Sequence, residues 1–224
     1  MNNDRRIRII IGHYGSGKTE FSVNYAVKLA ARGKKVALVD LDVVNLYFRS
    51  REKSSILEEK GIRVIGSALK GTAVDIPAIS GEVLTPLQDK TYEAVLDIGG
   101  DPAGARTLGR YKDFLIDGQY DMFFVLNANR PETQTVEKVM EFIVKIQDTT
   151  RAKVTGIINN THLLKSTTAE DVIRGYNLAM EVAKETNLPL KYNVCLEHLV
   201  EELPNEIKDK IFPITLYMRE EWMI

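Results

Sequence analysis

Three separated stretches carry side chains that do chemistry only if the fold brings them together. The first is GHYGSGKTE at positions 12–20. Its Gly12-x-x-x-x-Gly17-Lys18-Thr19 spacing is that of a phosphate-binding loop, where glycines let backbone N–H groups turn inward around a polyphosphate. Lys18 is expected to reach the β- and γ-phosphates and the Thr19 hydroxyl to ligate Mg²⁺. The remaining residues of the stretch, His13, Tyr14, Gly15, Ser16 and Glu20, count with them as candidate nucleotide contacts.

The second stretch is LVDLDVVN, which sets Asp40 and Asp42 two residues apart. Residues i and i+2 of a strand point to the same side, so both carboxylates can face the phosphates from one strand end. Two anions at the mouth of a buried strand are costly unless a cation or hydrogen bonds offset them. The third stretch is VLDIGGD, where Asp97 follows Val95 and Leu96 as a Walker B acid does. Lys18, Asp40, Asp42 and Asp97 form the candidate catalytic set. Thr19, Asp40 and Asp97 form the candidate magnesium set. Gly100 would let a backbone N–H approach the γ-phosphate closely. Residues 97–110 are then a candidate switch that orders on the triphosphate. Arg106 and Arg110 follow on a predicted helix, either stabilising phosphoryl charge or presenting a solvated, partner-facing surface.

At the base end, GIINNTH places Asn159 and Asn160 at a strand terminus. GTPases of related architecture read guanine there with Asn-Lys-x-Asp. Counted from Asn159 the acid position holds His162, and from Asn160 it holds Leu163. An asparagine offers one donor and one acceptor end and can pair with the adenine edge. ATP is therefore expected over GTP, with Asn159 or Asn160 as the base reader.

These residues need a scaffold that delivers strand ends to one edge. Apolar, β-branched runs at 7–12, 35–42, 62–67, 92–100, 121–129, 153–161 and 188–194 alternate with helical patterns. Most runs are continuous, as in strands buried on both faces of a parallel sheet. Thr19–Arg32 reads as a helix closed by Gly33, a second helix is expected to open at Pro131, and Thr167 with Glu170 reads as a capping box for a third. The expectation is a single α/β domain over 1–224: a three-layer, doubly wound, mostly parallel P-loop fold, with ligands beyond the carboxyl ends of the strands.

With the P-loop, Asp-x-Asp, Asp-x-Gly-Gly and strand-end Asn in this order, residues 7–195 resemble the MinD/ParA group of P-loop ATPases. That group stands with the CobQ/CobB and dethiobiotin-synthetase-like proteins. The resemblance implies Mg²⁺-dependent ATP hydrolysis as a switch for a protein partner, and a Walker B strand beside the P-loop strand. It also implies that Asp40, Asp42 and Asp97 serve the metal and the attacking water. Dimerising members carry a signature lysine as the second residue of the loop; here that position is His13, which leaves a homodimer open. Two other activities remain compatible with the relatives. One is an ATP-dependent small-molecule kinase or ligase, for which Arg49 and Arg51 in NLYFRSREK and the 67–82 stretch with Lys70 and Asp75 would bind the second substrate. The other is a GTP-dependent metallocentre chaperone.

Bulk properties exclude less. A formal net charge of −1 argues against a nucleic-acid binder working by bulk electrostatics. The lone Cys195 forms no internal disulfide, as expected of a cytoplasmic protein. No membrane span is expected, and the 204–224 tail, broken by Pro213 and mixed in charge, lacks the basic face of an amphipathic anchor. It is expected to dock on the domain, with Trp222 packing there.

Overall fold

The computed structural model describes residues 1, 3–42, 53–66 and 81–218. Arg49, Arg51, Lys70, Asp75 and Trp222 lie outside the described residues. In chain order the elements are β1 (Ile7–Ile11), α1 (Lys18–Ala30), β2 (Lys35–Leu41), α2 (Ser54–Glu59), β3 (Ile62–Ile65), α3 (Leu84–Gln88) and β4 (Tyr92–Ile98). They continue with α4 (Pro102–Ala105), a 3₁₀ helix (Arg106–Phe114), β5 (Tyr120–Leu126), α5 (Val136–Thr150), β6 (Gly156–Asn159), α6 (Ala169–Thr186), β7 (Leu190–Leu196), α7 (Asn205–Lys208) and β8 (Ile211–Ile214).

The strands form one sheet in the order β3-β2-β4-β1-β5-β6-β7-β8, and every pairing is parallel. The chain order reverses around β1, the switch point where open α/β sheets bind ligands. The Walker B strand β4 and β5 flank β1, so the loop after β1 emerges between two strand ends.

Alternation along β1 splits the core into two layers. Ile7, Ile9 and Ile11 join Leu96, Phe124, Val139, Ile143, Ile146, Ala179 and Val182 on the α5/α6 side. Ile10 joins Phe21, Tyr25, Leu29, Leu38, Val95, Phe123, Tyr192 and Phe212 on the α1 side. Each such side chain contributes about 1.5–3 kcal/mol on burial, so both faces of the sheet are held firmly. Arg8 interrupts the apolar run of β1 yet is buried. Its guanidinium meets Glu93 at 2.6 Å and lies 5.3 Å from the Tyr25 ring centroid.

Three boundaries differ from the sequence expectation. Pro131 does not open α5. The Thr133 hydroxyl donates to the Asn127 carbonyl at 2.7 Å, closing residues 127–133 into a turn. The helix starts at Val136, where the Thr135 side chain accepts the Lys138 N–H. The α6 capping box uses Thr168 and Asp171, one residue later than Thr167 and Glu170. The Thr167 hydroxyl is instead committed to Leu164 O and Leu163 N. Finally, the tail contributes an eighth strand. β8 is four residues long and contains Pro213, which an edge position tolerates because one side of the strand needs no ladder bond. No helix among the described residues is long and apolar enough to cross a membrane.

Candidate functional site

The loop between β1 and α1 is shaped for an anion. Gly17 sits in the left-handed region (φ 81°) as N-cap of α1 and provides no capping side chain, leaving the first N–H groups of the helix for a ligand. A Cβ at Gly17 would lie 2.3 Å from Asn160 Nδ2 and 2.9 Å from His162 Nε2, so only glycine lets the β6 loop close onto the P-loop. A Cβ at Gly100 would likewise lie 2.7 Å from Tyr14 N and 2.9 Å from Lys18 Nζ. The strand-end glycine after Asp97 thus abuts the phosphate loop, as its position in the sequence suggests.

The charged set converges. β2 and β4 pair in register, setting Asp40 opposite Asp97 across adjacent strands. Asp42 follows the end of β2, and its N–H donates to Asp40 Oδ1 at 3.1 Å. All three carboxylates are buried, as is Lys18. Burial lowers the Lys18 pKa against the opposing pull of Asp97, Asp42 and Asp101. The Lys18 ammonium also donates to the His13 carbonyl at 3.3 Å. Asp97 is pushed up to about 7, first by burial and next by the Asp40 charge. Lys18 and a hydrogen bond with Thr19 pull the other way. Among the described residues its Oδ1 has no hydrogen-bond partner, an expensive state for a buried carboxylate oxygen.

A cavity of about 380 Å³ runs from this cluster across the sheet edge. Its phosphate end is formed by Tyr14, Gly15, Gly17, Lys18, Thr19 and Asp42. Its far end lies between the β6 loop (Asn160–Leu164), the end of β7 (Val194–Leu196) and the segment after β8 (Ile214, Leu216 and Met218). That size and mixed lining suit a small organic ligand with one anionic end.

The two asparagines behave differently. Asn159 is spent inside the protein: its amide donates to Val172 O at 2.9 Å and to Asn193 Oδ1 at 3.2 Å, while its oxygen accepts the Thr161 N–H. Asn160 lines the cavity and donates to Ser16 O at 2.7 Å, tying the β6 loop to the P-loop. Ser16 is buried with an unpartnered hydroxyl. His13 does not line the cavity. Its ring packs edge-on against Phe142 at 5.3 Å between centroids, with Nδ1 3.0 Å from Tyr14 O and 3.8 Å from the Glu132 carboxylate. Tyr14 is the most exposed large side chain of the loop, at 59%. Arg106 and Arg110 stand exposed on the 3₁₀ helix, away from the cavity lining.

Sequence reasoning did not single out Arg130, whose Nε donates to Gly15 O at 3.1 Å from the loop after β5. Nor did it single out Asn127, which donates to the same carbonyl at 3.4 Å. The polar run NANR directly after a buried strand was the available signal. The C-terminal wall was missed as well, because residues 211–218 carry no chemistry of their own.

A parallel, doubly wound sheet with a Walker-type loop at its switch point and acids on neighbouring strand ends defines a P-loop nucleotide-binding protein. The family model for the CobQ/CobB/MinD/ParA nucleotide binding domain matches residues 7–191, and the chain belongs to that family. No curated protein sequence matches it significantly. Among solved structures it is similar to the cell division protein FtsY of Thermotoga maritima, at 22% identity and a TM-score of 0.56, covering 85% of this chain and 62% of that one. FtsY of Mycoplasma mycoides gives 19% identity, a TM-score of 0.55, and coverage of 85% and 61%. The signal recognition particle 54 kDa protein of Aeropyrum pernix, solved with GDP, gives 22%, 0.51, 83% and 40%. These likenesses concern the fold. The chain spans at most about three-fifths of the length of those structures.

Proposed function

We propose that the protein is a cytoplasmic, Mg²⁺-dependent ATPase of the MinD/ParA type, switching between nucleotide states for a protein partner. The observation that carries this reading is the buried set of Asp40, Asp42 and Asp97 around Lys18, with one Asp97 oxygen lacking a partner. A divalent cation would give the open Asp97 oxygen a partner beside the Thr19 hydroxyl, and a triphosphate would add countercharge around Lys18.

Magnesium typically uses one or two carboxylates together with substrate phosphates and water. Thr19, Asp40 and Asp97 would hold it, the acids through water. When bound, Mg²⁺ neutralises charge on the β- and γ-phosphates and supplies Lewis-acid stabilisation. The chain does the rest. The N–H groups of the loop and of the first turn of α1 would orient the phosphates, Lys18 would balance the terminal phosphate, and Asp42, which lines the cavity, would orient the attacking water.

Two features of the base end support adenine over guanine. Among the described residues, the carboxylates in the cavity lining are Asp42, at the phosphate end, and Glu20, which accepts the Tyr217 and Met218 N–H groups. Neither is free to accept from guanine N1 and N2, whereas Asn160 and the β6-loop backbone suit an adenine edge. The lone, buried Cys195 fits a reducing compartment.

The test is calorimetric titration of the purified chain with ATP and GTP, with and without Mg²⁺, beside Lys18→Ala. Mg²⁺-dependent ATP binding, weaker GTP binding and loss in the variant are expected. Binding of GTP as tight as ATP would reject the adenine assignment. Undiminished ATP binding by Lys18→Ala would reject the site.

A further inference from the structure

Beyond β8 the chain is tied to the start of α1 by hydrogen bonds. Asn24 brackets Thr215 from both sides: Asn24 Nδ2 donates to Thr215 O at 2.8 Å and Thr215 N donates to Asn24 Oδ1 at 2.9 Å. One turn earlier, Glu20 takes the next two amides, Tyr217 N at 2.6 Å on Oε1 and Met218 N at 3.1 Å on Oε2. Ile214, Leu216 and Met218 all line the cavity. The polar Asn160 and Thr161 line the same cavity. Apolar and polar groups in one cavity, beside an anion-binding helix terminus, match a planar heteroaromatic base attached to a polyphosphate.

Glu20 explains why the tail is fastened there. It follows Lys18-Thr19 directly, so a bare carboxylate at this position would repel a triphosphate. Two backbone N–H groups on its two oxygens stabilise that charge and hold it toward the tail. The same contacts make the helix turn that meets the phosphates and the strap that walls the far end of the cavity one unit.

We propose that residues 214–218 form the base-binding wall of the nucleotide site, with Leu216 and Met218 as its contacts and Glu20 and Asn24 as the latch that sets it in place. The tail thereby acts on the base and not on the phosphates. The inference rests on the nucleotide reading above.

The experiment compares ATP with inorganic tripolyphosphate, both with Mg²⁺, by calorimetry on the full chain. Leu216→Ala with Met218→Ala is expected to weaken ATP roughly tenfold, about 1.4 kcal/mol, and to leave tripolyphosphate within about twofold. Equal losses for both ligands, or an unchanged ATP affinity, would overturn the proposal. Hydrogen exchange on the unmodified chain gives a readout independent of the variant's folding. The Tyr217 and Met218 amides should gain protection with ATP beyond that with tripolyphosphate, and identical protection would count against the wall. If the unmodified chain binds neither ligand, the nucleotide reading falls and takes the wall with it. If it binds ATP with no sensitivity to the tail, only the wall falls.

Discussion

Replacing Asp97 by Asn should make the nucleotide-free protein more stable while removing the Mg²⁺-dependent nucleotide binding proposed above. Asp97 is buried beside Asp40, and its pKa rises from the ordinary 3.8 to about 7. A carboxyl whose folded pKa is raised is more protonated in the folded than in the unfolded chain between those values. Stability therefore falls as pH rises from about 4 to 7 and stays low above. The shift of roughly 3 units, at about 1.4 kcal/mol each, puts the cost at pH 8 near 4 kcal/mol; by pH 5 only about 1.5 kcal/mol of it has developed. Asparagine keeps the shape and removes the charge beside Asp40. Urea denaturation at pH 5 and pH 8, without nucleotide or Mg²⁺, should show Asp97→Asn more stable than the parent at pH 8 by about 2–4 kcal/mol, with the gap shrinking at pH 5. Mg²⁺ and ATP should then raise the melting temperature of the parent far more than that of the variant. A variant less stable than the parent at pH 8, or a gap that does not narrow in acid, would refute the claim that Asp97 is held at a cost for its ligand.

Lys18→Ala should cost both binding and stability, by about 3–5 kcal/mol in denaturation, because Asp97, Asp42 and Asp101 lose their buried countercharge. Asp4 offers the opposite pH sign. Burial raises its pKa, but Lys191 at 2.7 Å and the hydroxyls of Tyr192 and Tyr25 outweigh burial and hold it at about 2. It therefore contributes about 2 kcal/mol that is present above pH 4 and lost as pH falls toward 2, and Asp4→Asn should flatten the acid limb of the stability profile. Asp171→Ala removes one half of the α6 capping box and the Arg174 pair at 2.6 Å, so urea melts should show a loss of about 1–2 kcal/mol at neutral pH. Gly100→Ala would force Tyr14 N and Lys18 Nζ away from contacts under 3.0 Å, and titration should show ATP affinity lowered at least roughly tenfold with little change in the fold's circular dichroism.

Where the sequence was legible, the reason was local. A P-loop is a run of glycines followed by Lys18-Thr19, and its context, a buried strand before and a helix after, is written in adjacent residues. The continuous apolar runs declared a sheet covered on both faces, which the two core layers around β1 bear out. The misplaced helix starts turned on single hydroxyls. Thr167 and Thr168 have the same cap chemistry, and only the loop's path decides that one bonds Leu164 while the other caps α6. β8 escaped because a four-residue edge strand containing proline carries too short a pattern to read.

By itself, then, the chain determined which chemical groups converge at the P-loop, since those residues are consecutive or sit at the ends of strands whose apolar runs announce them. Tertiary structure decided the distribution of work among chemically equal groups. It turned Asn159 inward to Asn193 and Val172 and left Asn160 in the cavity. It aimed His13 at Phe142 and Glu132, not into the cavity. It brought Ile214, Leu216 and Met218 beside a loop about two hundred residues earlier. The physical reason is that burial, partner geometry and cavity shape arise from contacts between distant segments, which no local spacing encodes.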